Sequence, residues 1–526
     1  MAIGINEWIQ LIPLWLPLVG ALFLALIGRL TKERNKVLLG AISVVILFIA
    51  LWFLISPFPP FQGLYFQLVN AGFTPIDIVY FVTTPLDPSI GAAFLRIDIL
   101  SVFMSVIFIF LGFFVALYSI KYMEHDTRLS IYYALLLTLV GGMVGVTMAG
   151  DFFTLFILWE TMSISSYVLV AFRKDEAEPL EAGIKYLFLS AVGSTLILFT
   201  MSLLYGLTGT LNIYQIGPAL SLIVGGATPG SPIQGLLLIT IVGLIIGFGV
   251  KAAIAPLSTW LPDAHPAAPS GISAMLSGVV IMTGAYAIIR TLILFYNPAD
   301  FPYYGAVVSW FALFTMIYGN LMALTQKDLK RLLAYSTIVN VGYIIYGFSI
   351  AMMQVAQPAQ LTSVTGSLFH ITAHMLSKGM LFLISGIFLH SLHTRDLDKL
   401  RGVGRKMPLT ILCLTIGALS LAGVPPLIGF YSKFFIIWGA IQAGAYIATI
   451  ILVLMSAFSV VYYLRIIQVL VFAEPSPEAA TVKPTHPILL FVISVLTIFI
   501  IGIGLFPGFF IEVAEFAAQG ALGLLP

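Results

Sequence analysis

A single cysteine, Cys413, stands in a chain of 526 residues, which excludes an intramolecular disulfide and any cysteine-ligated cluster held within the chain. Charge is scarce too: Asp, Glu, Lys and Arg make up 9% of the residues against 60% that are hydrophobic. That is too little polar surface to cover a soluble globule, and the mean hydropathy of +1.07 fits a chain whose apolar runs repeatedly reach bilayer length. No stretch is long or polar enough for a soluble domain, no Gly-rich phosphate loop follows a strand, and no CxxC pair occurs. Cofactors, metal centres and nucleic-acid partners are therefore not expected. What remains is an all-α polytopic membrane protein lying in the lipid bilayer.

Fourteen apolar runs are long enough to span, near residues 8–28, 37–56, 98–120, 130–149, 151–172, 181–206, 234–261, 271–293, 304–326, 332–350, 364–389, 408–440, 446–473 and 487–510, the twelfth interrupted. The first lacks a basic leader and a small-residue cleavage site, so it is expected to be a retained span. Loops after odd-numbered spans hold 17 of the 24 lysines and arginines, among them Arg29, Lys32, Arg34, Arg173, Lys330, Arg395, Arg401 and Lys483. The other side holds two, Arg96 and Arg290, and the remaining five, Lys185, Lys251, Lys378, Lys433 and Arg465, fall within spans. Positive-inside logic then places the odd loops in the cytoplasm and both termini outside the plasma membrane. Residues 57–95 read as an outer hairpin cap, and the uncharged, glycine-rich residues 207–233 as a second outer loop.

Residues 251–270, KAAIAPLSTWLPDAHPAAPS, concentrate the chemistry. A lysine near the bilayer centre costs about 2.5–3.5 kcal/mol, so such residues face a bundle interior or a watery cavity and mark an ion path. Pro256 breaks the helix beside Lys251, and a polar loop with Asp263 and His265 follows. The plainer alternative is a lysine snorkelling to the surface. A second break, SLAGVPPLIGFYSKFFII, sets Gly423, Pro425, Pro426 and Gly429 just before Lys433. The breaks lie five spans apart, and an odd offset reverses orientation, so spans four to eight and nine to thirteen are expected to be inverted repeats. The expected units are an N-terminal three-helix segment (1–129), two repeats (130–293, broken near 251–256, and 304–473, broken near 423–433) and a C-terminal helix (474–526).

Two further constellations suit ion movement. Glu160 lies mid-span in DFFTLFILWETMSISSY, and Lys185 enters the next span in EAGIKYLFLS. If these spans pack, the acid holds the charged lysine and releases it when the geometry changes; a static pair that sets helix register is the competing reading. His370, His374 and Lys378, in LFHITAHMLSKGM, recur every four residues and line one helix face as a proton-relay row would. The alternatives are histidines hydrogen-bonded between helices, or zinc, for which no nearby acid or cysteine supplies further ligands. His390 and His393, beside Arg395, are expected to be solvated, and Arg465 to snorkel to the cytoplasmic edge.

Taken together, FILWETMSISSYVLV, EAGIKYLFLSAVGS, FGVKAAIAPLSTWLPDAHPAAPSGISAMLSG, DLKRLLAYSTIVNVGYI, HMLSKGMLFLISG and LAGVPPLIGFYSKF resemble the antiporter-like subunits of respiratory complex I, and of related membrane-bound hydrogenases and multisubunit sodium/proton antiporters. The resemblance runs from Phe94 to Phe472. It implies a fourteen-helix core of two inverted five-helix repeats, each with a broken helix. Glu160 and Lys251 match the family's acid and broken-helix lysine, Lys185 its lysine on span six, and Lys433 its lysine on the second broken helix, where some members carry glutamate. The early end after span fourteen departs from the largest complex I type, which has a long lateral helix. Span eight departs as well, since GVVIMTG puts Met282 where members commonly carry lysine or histidine.

The function so implied is translocation of protons, with sodium coupling open, by a membrane subunit driven by redox partners. The pathway residues are Glu160, Lys185, Lys251, His374, Lys378 and Lys433, with His265 and His370 beside them. Partners would be other membrane subunits, homologous antiporter-like ones included, and peripheral redox subunits. A subunit of a stand-alone sodium/proton antiporter is the alternative, and a non-conducting structural subunit a third.

Overall fold

A backbone that crosses hydrocarbon must satisfy its own polar groups, and the long apolar runs do so as helices. The computed structural model describes residues 9–31, 35–57, 62–82, 92–226, 232–480, 482 and 484–525. In chain order the elements are α1 (Ile12–Thr31), α2 (Lys36–Ile55), the short α3 (Leu64–Asn70), strands β1 (Ile76–Val82) and β2 (Ala92–Ile97), α4 (Ile99–Tyr122), α5 (Leu129–Met148), α6 (Phe152–Val170), α7 (Ala177–Thr208), α8 (Ile213–Gly225), α9 (Pro232–Ala252) and the short α10 (Leu261–Ala267). Then follow α11 (Ser270–Phe295, with a π turn at Leu276–Val280), α12 (Tyr304–Leu324), α13 (Leu329–Ala351), α14 (Gln357–Leu392), α15 (Pro408–Ala422), α16 (Ile428–Gln442), α17 (Tyr446–Phe472), α18 (Pro487–Leu505) and α19 (Gly508–Ala521).

Among the described residues, 13 helices are long and apolar enough to cross a membrane. The twelfth predicted run is the exception, because residues 423–427 split it into α15 and α16, of 15 residues each. Residues 207–233, expected as loop, contain α8, whose first turn is capped by Asn212 accepting from the Tyr214 amide at 2.9 Å. The expected outer cap is in part an antiparallel β1–β2 pair with Asp77 opposite Arg96, although residues 58–61 and 83–91 lie outside the described ones.

Carboxylates cap helix starts, where the free amide hydrogens of the first turn need acceptors that apolar side chains lack. Asp98, Asp151 and Asp328 accept from the Ser101, Thr154 and Arg331 amides at 2.8, 2.8 and 3.0 Å, starting α4, α6 and α13. Helices α11 and α13 are each wholly buried by the rest of the fold over an 18-residue stretch. The periphery instead shows bare apolar side chains such as Leu22, Phe23, Val45, Ile447 and Ile450, as a lipid-facing surface does.

Charge collects at the two ends of the bundle. At one, loops after odd-numbered spans meet: Arg173 holds Asp126 in a bidentate pair at 2.9 and 3.0 Å, and Arg395 bridges Glu178 and Asp328 at 3.0 Å each. Partial burial of Arg173 opposes its charge, but Asp126 outweighs this and holds the guanidinium more firmly protonated than usual. Lys32, Arg34 and Lys483 lie outside the described residues. At the other end Arg290 corrects its reading as a loop residue. It is buried within α11, 2.5 Å from the Asp98 carboxylate, while Arg96 lies over the Tyr214 ring at 3.9 Å.

Candidate functional site

Helix α9 stops at Ala252 because Ala253 adopts a left-handed φ of +56° and Pro256, joined by a cis bond, has no amide hydrogen to continue the ladder. Lys251 therefore sits in the last turn of α9, buried, where the free carbonyl end of a helix favours a cation. Its Nζ donates to Tyr186 OH at 2.8 Å and Ser166 Oγ at 3.2 Å, and lies 4.7 Å from the Tyr186 ring centre. Tyr186 stacks on Trp260 at 3.9 Å, and Trp260 Nε1 donates to the Val250 carbonyl at 2.9 Å, tying the broken segment back to its own helix. On α11, Gly284 makes room for this break, since a Cβ there would stand 2.6 Å from the Ala252 nitrogen.

Glu160, on α6, is partly buried, its Oε1 is enclosed without a hydrogen-bond partner, and it interacts electrostatically with Lys251. A small pocket beside Lys251, lined by Ser163, Ser190 and Ser194, leaves about 10 Å³ for the centre of a water molecule. The Ser163 and Ser190 hydroxyls are buried without partners. One water there would find the several polar contacts it needs. The expected pairing of Glu160 with Lys185 does not occur among the described residues. Lys185 is half-exposed and bonds Glu181 at 2.8 Å and Asp263 at 3.3 Å. The reason is helical geometry: adjacent residues point about 100° apart, and Tyr186 takes the inward direction toward Lys251.

The face carrying the odd-span loops opens into a vestibule of about 940 Å³, lined by Asp126, Glu176, Glu178, His390, His393 and Arg395 among others. Pro266, Ala267 and Ala268 of the broken segment also line it. Just behind them lies Lys330, which corrects another sequence expectation: it is not a loop residue but is wholly buried in the first turn of α13. Its Nζ donates to the Ala268 carbonyl at 2.9 Å and to Ser273 Oγ at 3.3 Å. Ser273 in turn donates to the His265 carbonyl at 2.8 Å. The His265 ring stacks on Phe382 at 4.5 Å, with both nitrogens buried and unpartnered, and interacts electrostatically with Lys330 and Lys378. A cue for Lys330 was present in the sequence, because Asp328 is a helix-capping residue and starts the span two residues ahead of it.

Along α14, Lys378, His374 and His370 rise about 6 Å apart and are all buried. Lys378 Nζ donates to the Leu333 carbonyl at 2.9 Å and to Ser336 Oγ. His374 Nε2 lies 3.1 Å from the Ser277 carbonyl, in the π turn of α11, and so carries the hydrogen; Nδ1 is buried and unpartnered. His370 bridges α13 and α16. Asn340 Nδ2 donates to the Ser336 carbonyl at 2.6 Å, which turns Oδ1 toward His370 Nε2 at 3.0 Å. His370 Nδ1 meets Ser432 Oγ at 2.8 Å, and Ser432 can also donate to the Gly429 carbonyl at 3.0 Å. A neutral ring accepts from Ser432; a protonated ring donates to it while the hydroxyl turns to Gly429. His370 can thus gain or lose a proton without losing a partner, and neither nitrogen is left for zinc.

Lys433 closes the row at the second break. Its Nζ donates to the Leu421 carbonyl at 2.7 Å, at the broken end of α15, and to Ser456 Oγ at 3.3 Å, with the Tyr343 ring 5.0 Å away. Gly423 ends α15 at φ +88°, a conformation that favours glycine. Among the described residues, none of the four buried lysines, Lys251, Lys330, Lys378 and Lys433, has a carboxylate within ion-pair distance. Each is held by carbonyls and hydroxyls, groups that accept from the ammonium and do not lock it in the charged form. Met282 is buried on α11 and offers no proton acceptor.

Comparison with known proteins follows the same outline. The family described as "NADH:quinone oxidoreductase/Mrp antiporter, TM" matches residues 149–459, and "NADH-Ubiquinone oxidoreductase (complex I), chain 5 N-terminus" matches residues 90–133. F(420)H(2) dehydrogenase subunit N of Methanosarcina mazei is 33% identical over 438 residues, 81% of this chain and 84% of that protein. A chain in the structure of the membrane-bound sulfane sulfur reductase, an archaeal respiratory membrane complex, is 29% identical with a TM-score of 0.81, covering 98% of this chain and 97% of the other. The Mrp complex of Dietzia sp. DQ12-45-1b shares the fold at 21% identity and a TM-score of 0.82, covering 98% of both chains.

Proposed function

The chain belongs to the NADH:quinone oxidoreductase/Mrp antiporter family of transmembrane subunits, and from that premise we propose that it translocates protons within a redox-driven respiratory-type complex of the plasma membrane. The observation that carries the reading is the buried row itself. Lys251, Lys330, Lys378 and Lys433 are enclosed without carboxylate partners, with His265, His374 and His370 set among them. A structural role would call for paired charges or none, because an unpaired buried cation is costly. Glu160 modulates Lys251, and Lys185 lines a polar recess of about 290 Å³ with Glu181, Asp263 and Arg331, at the outer edge of the same broken segment.

The redox-driven reading is favoured over a stand-alone sodium/proton antiporter by the relatives of higher identity, whose names are those of a dehydrogenase and a sulfane sulfur reductase. Two helix groups support the inverted-repeat reading. α5, α6, α7, α9–α10 and α11 match α12, α13, α14, α15–α16 and α17 in order. The third member is the longest of each group, at 32 and 36 residues, and the fourth is broken. The division of basic residues, still 16 to 1 once the buried Lys330 and Arg290 are set aside, supports a cytoplasmic vestibule with both termini outside.

The test is the purified complex in proteoliposomes. Addition of its electron donor is expected to move protons without a sodium gradient, and redox subunits are expected to copurify. Proton movement only against an imposed sodium gradient, with no redox subunit present, would overturn the reading.

A further inference from the structure

At the rim of the vestibule, three side chains from two parts of the chain converge. Glu124 and His125 come from the loop between α4 and α5, and His390 from the last turn of α14. One ligand atom from each lies within 4.8 Å of the others. Donor atoms about 2.0–2.2 Å from a tetrahedral zinc stand roughly 3.3–3.6 Å apart. Glu124 Oε1 and His125 Nε2 are already 3.3 Å apart. Lys121 occupies the other carboxylate oxygen at 2.6 Å, leaving Oε1 for an ion. The His390 ring lies nearly parallel to that of His125, 6.1 Å away at 15°, and its Nε2 is buried without a hydrogen-bond partner. A half-buried imidazole with an unsatisfied nitrogen, grouped with a carboxylate and a second imidazole, is a donor set that suits a borderline cation rather than calcium or magnesium, which take oxygen ligands.

We propose that Glu124, His125 and His390 form a Zn²⁺ site whose occupancy obstructs the vestibule. Three protein ligands leave the fourth tetrahedral position to water, as in an accessible site and not a structural one. His125 and His390 both line the vestibule, beside Asp126 and Arg173, so an ion held between them places a positive charge across the approach to Lys330. That charge repels protons. The binding part stands on geometry alone; the obstruction part rests on the ion-path reading given above.

The experiment uses the intact complex, stripped with a chelator, titrated with ZnCl₂, and assayed separately for bound zinc by mass spectrometry and for proton movement in everted vesicles. Zinc binding is expected to weaken on the order of tenfold or more in His390→Ala and Glu124→Gln, by analogy with losses at zinc sites whose surroundings are altered. His125→Ala serves as the variant that threatens folding least, because its side chain is 81% exposed. In the unaltered complex zinc is expected to slow transport, with magnesium at the same concentration inert, and the three variants are expected to be less zinc-sensitive. Equal zinc content and affinity in native and variant complexes would overturn the site. Zinc bound through these residues without slowing transport would overturn the obstruction. A complex that moves no protons even without zinc would sink the ion-path reading while leaving the binding result to stand or fall by itself.

Discussion

Replacing Lys378 by methionine separates an ion path from a scaffold, because the structure makes the change nearly free of folding cost. Removing the ammonium abolishes a burial penalty of about 2.5–3.5 kcal/mol. It also deletes two hydrogen bonds to a charged donor, worth about 1.5 kcal/mol each at the lower end of their range. The two terms cancel to within about 1 kcal/mol. No acceptor is orphaned: the Leu333 carbonyl still receives Ser336 Oγ and Thr337 Oγ1, each at 2.9 Å, and Ser336 keeps its donation to it. Methionine is unbranched and of similar length, so the stem's packing on α13 is preserved. Lys378→Met is therefore expected to assemble like the native subunit. Its proton transport is expected to fall on the order of a hundredfold, the lower end of what a positioned proton-transfer group contributes. Proton movement in proteoliposomes by dye quenching gives the rate, and native gel electrophoresis with thermal denaturation of the purified complex gives the assembly. Met282→Lys, added to that variant, is expected to restore part of the transport by returning an exchangeable group to the middle of the bundle. Native transport in an assembled Lys378→Met complex would refute the relay, and loss of assembly would refute the energetic argument.

Four other changes probe separate parts of the structure. Glu160→Gln and Lys251→Met are each expected to remove most transport while leaving assembly intact, since Ser166 and Tyr186 keep each other at 2.9 Å once the lysine is gone; proteoliposomes pumping at the native rate would dismiss either residue. Asp98→Asn is expected to destabilise the protein by about 3–5 kcal/mol, because it strands the buried Arg290 charge; the yield of assembled complex reports it, and a native yield would mean that Arg290 finds water or another acceptor. For orientation, a cysteine introduced as Arg401→Cys is expected to resist an impermeant reagent added outside intact cells, and ready labelling there would reverse the assigned topology.

The reach of the amino-acid sequence is plain at the two breaks. Pro256 and the Gly423 to Gly429 cluster announce interrupted helices, because a missing amide hydrogen and a left-handed φ are properties of single residues. The four-residue spacing of His370, His374 and Lys378 likewise guarantees a shared face on any helix. The division of charge between loops foretold which loops share one end of the bundle, since the alternation of spans follows from their number.

What each polar side chain meets is another matter, and it was decided only when the helices packed. Glu160 and Lys185 lie on neighbouring helices, yet a turn of about 100° per residue gives the inward place to Tyr186 and sends Lys185 to Asp263. Lys330 reads as one more basic residue beside Arg331, but a turn of about 100° per residue at the start of α13 carries the first into the bundle and leaves the second at the surface. The partners of the buried row, from the Leu421 carbonyl 12 residues from Lys433 to the Ser277 carbonyl 97 residues from His374, are remote from their lysines and histidines in sequence. Local periodicity can name the groups that need company inside a membrane; which group supplies it depends on contacts between distant helices, and those exist only in the tertiary structure.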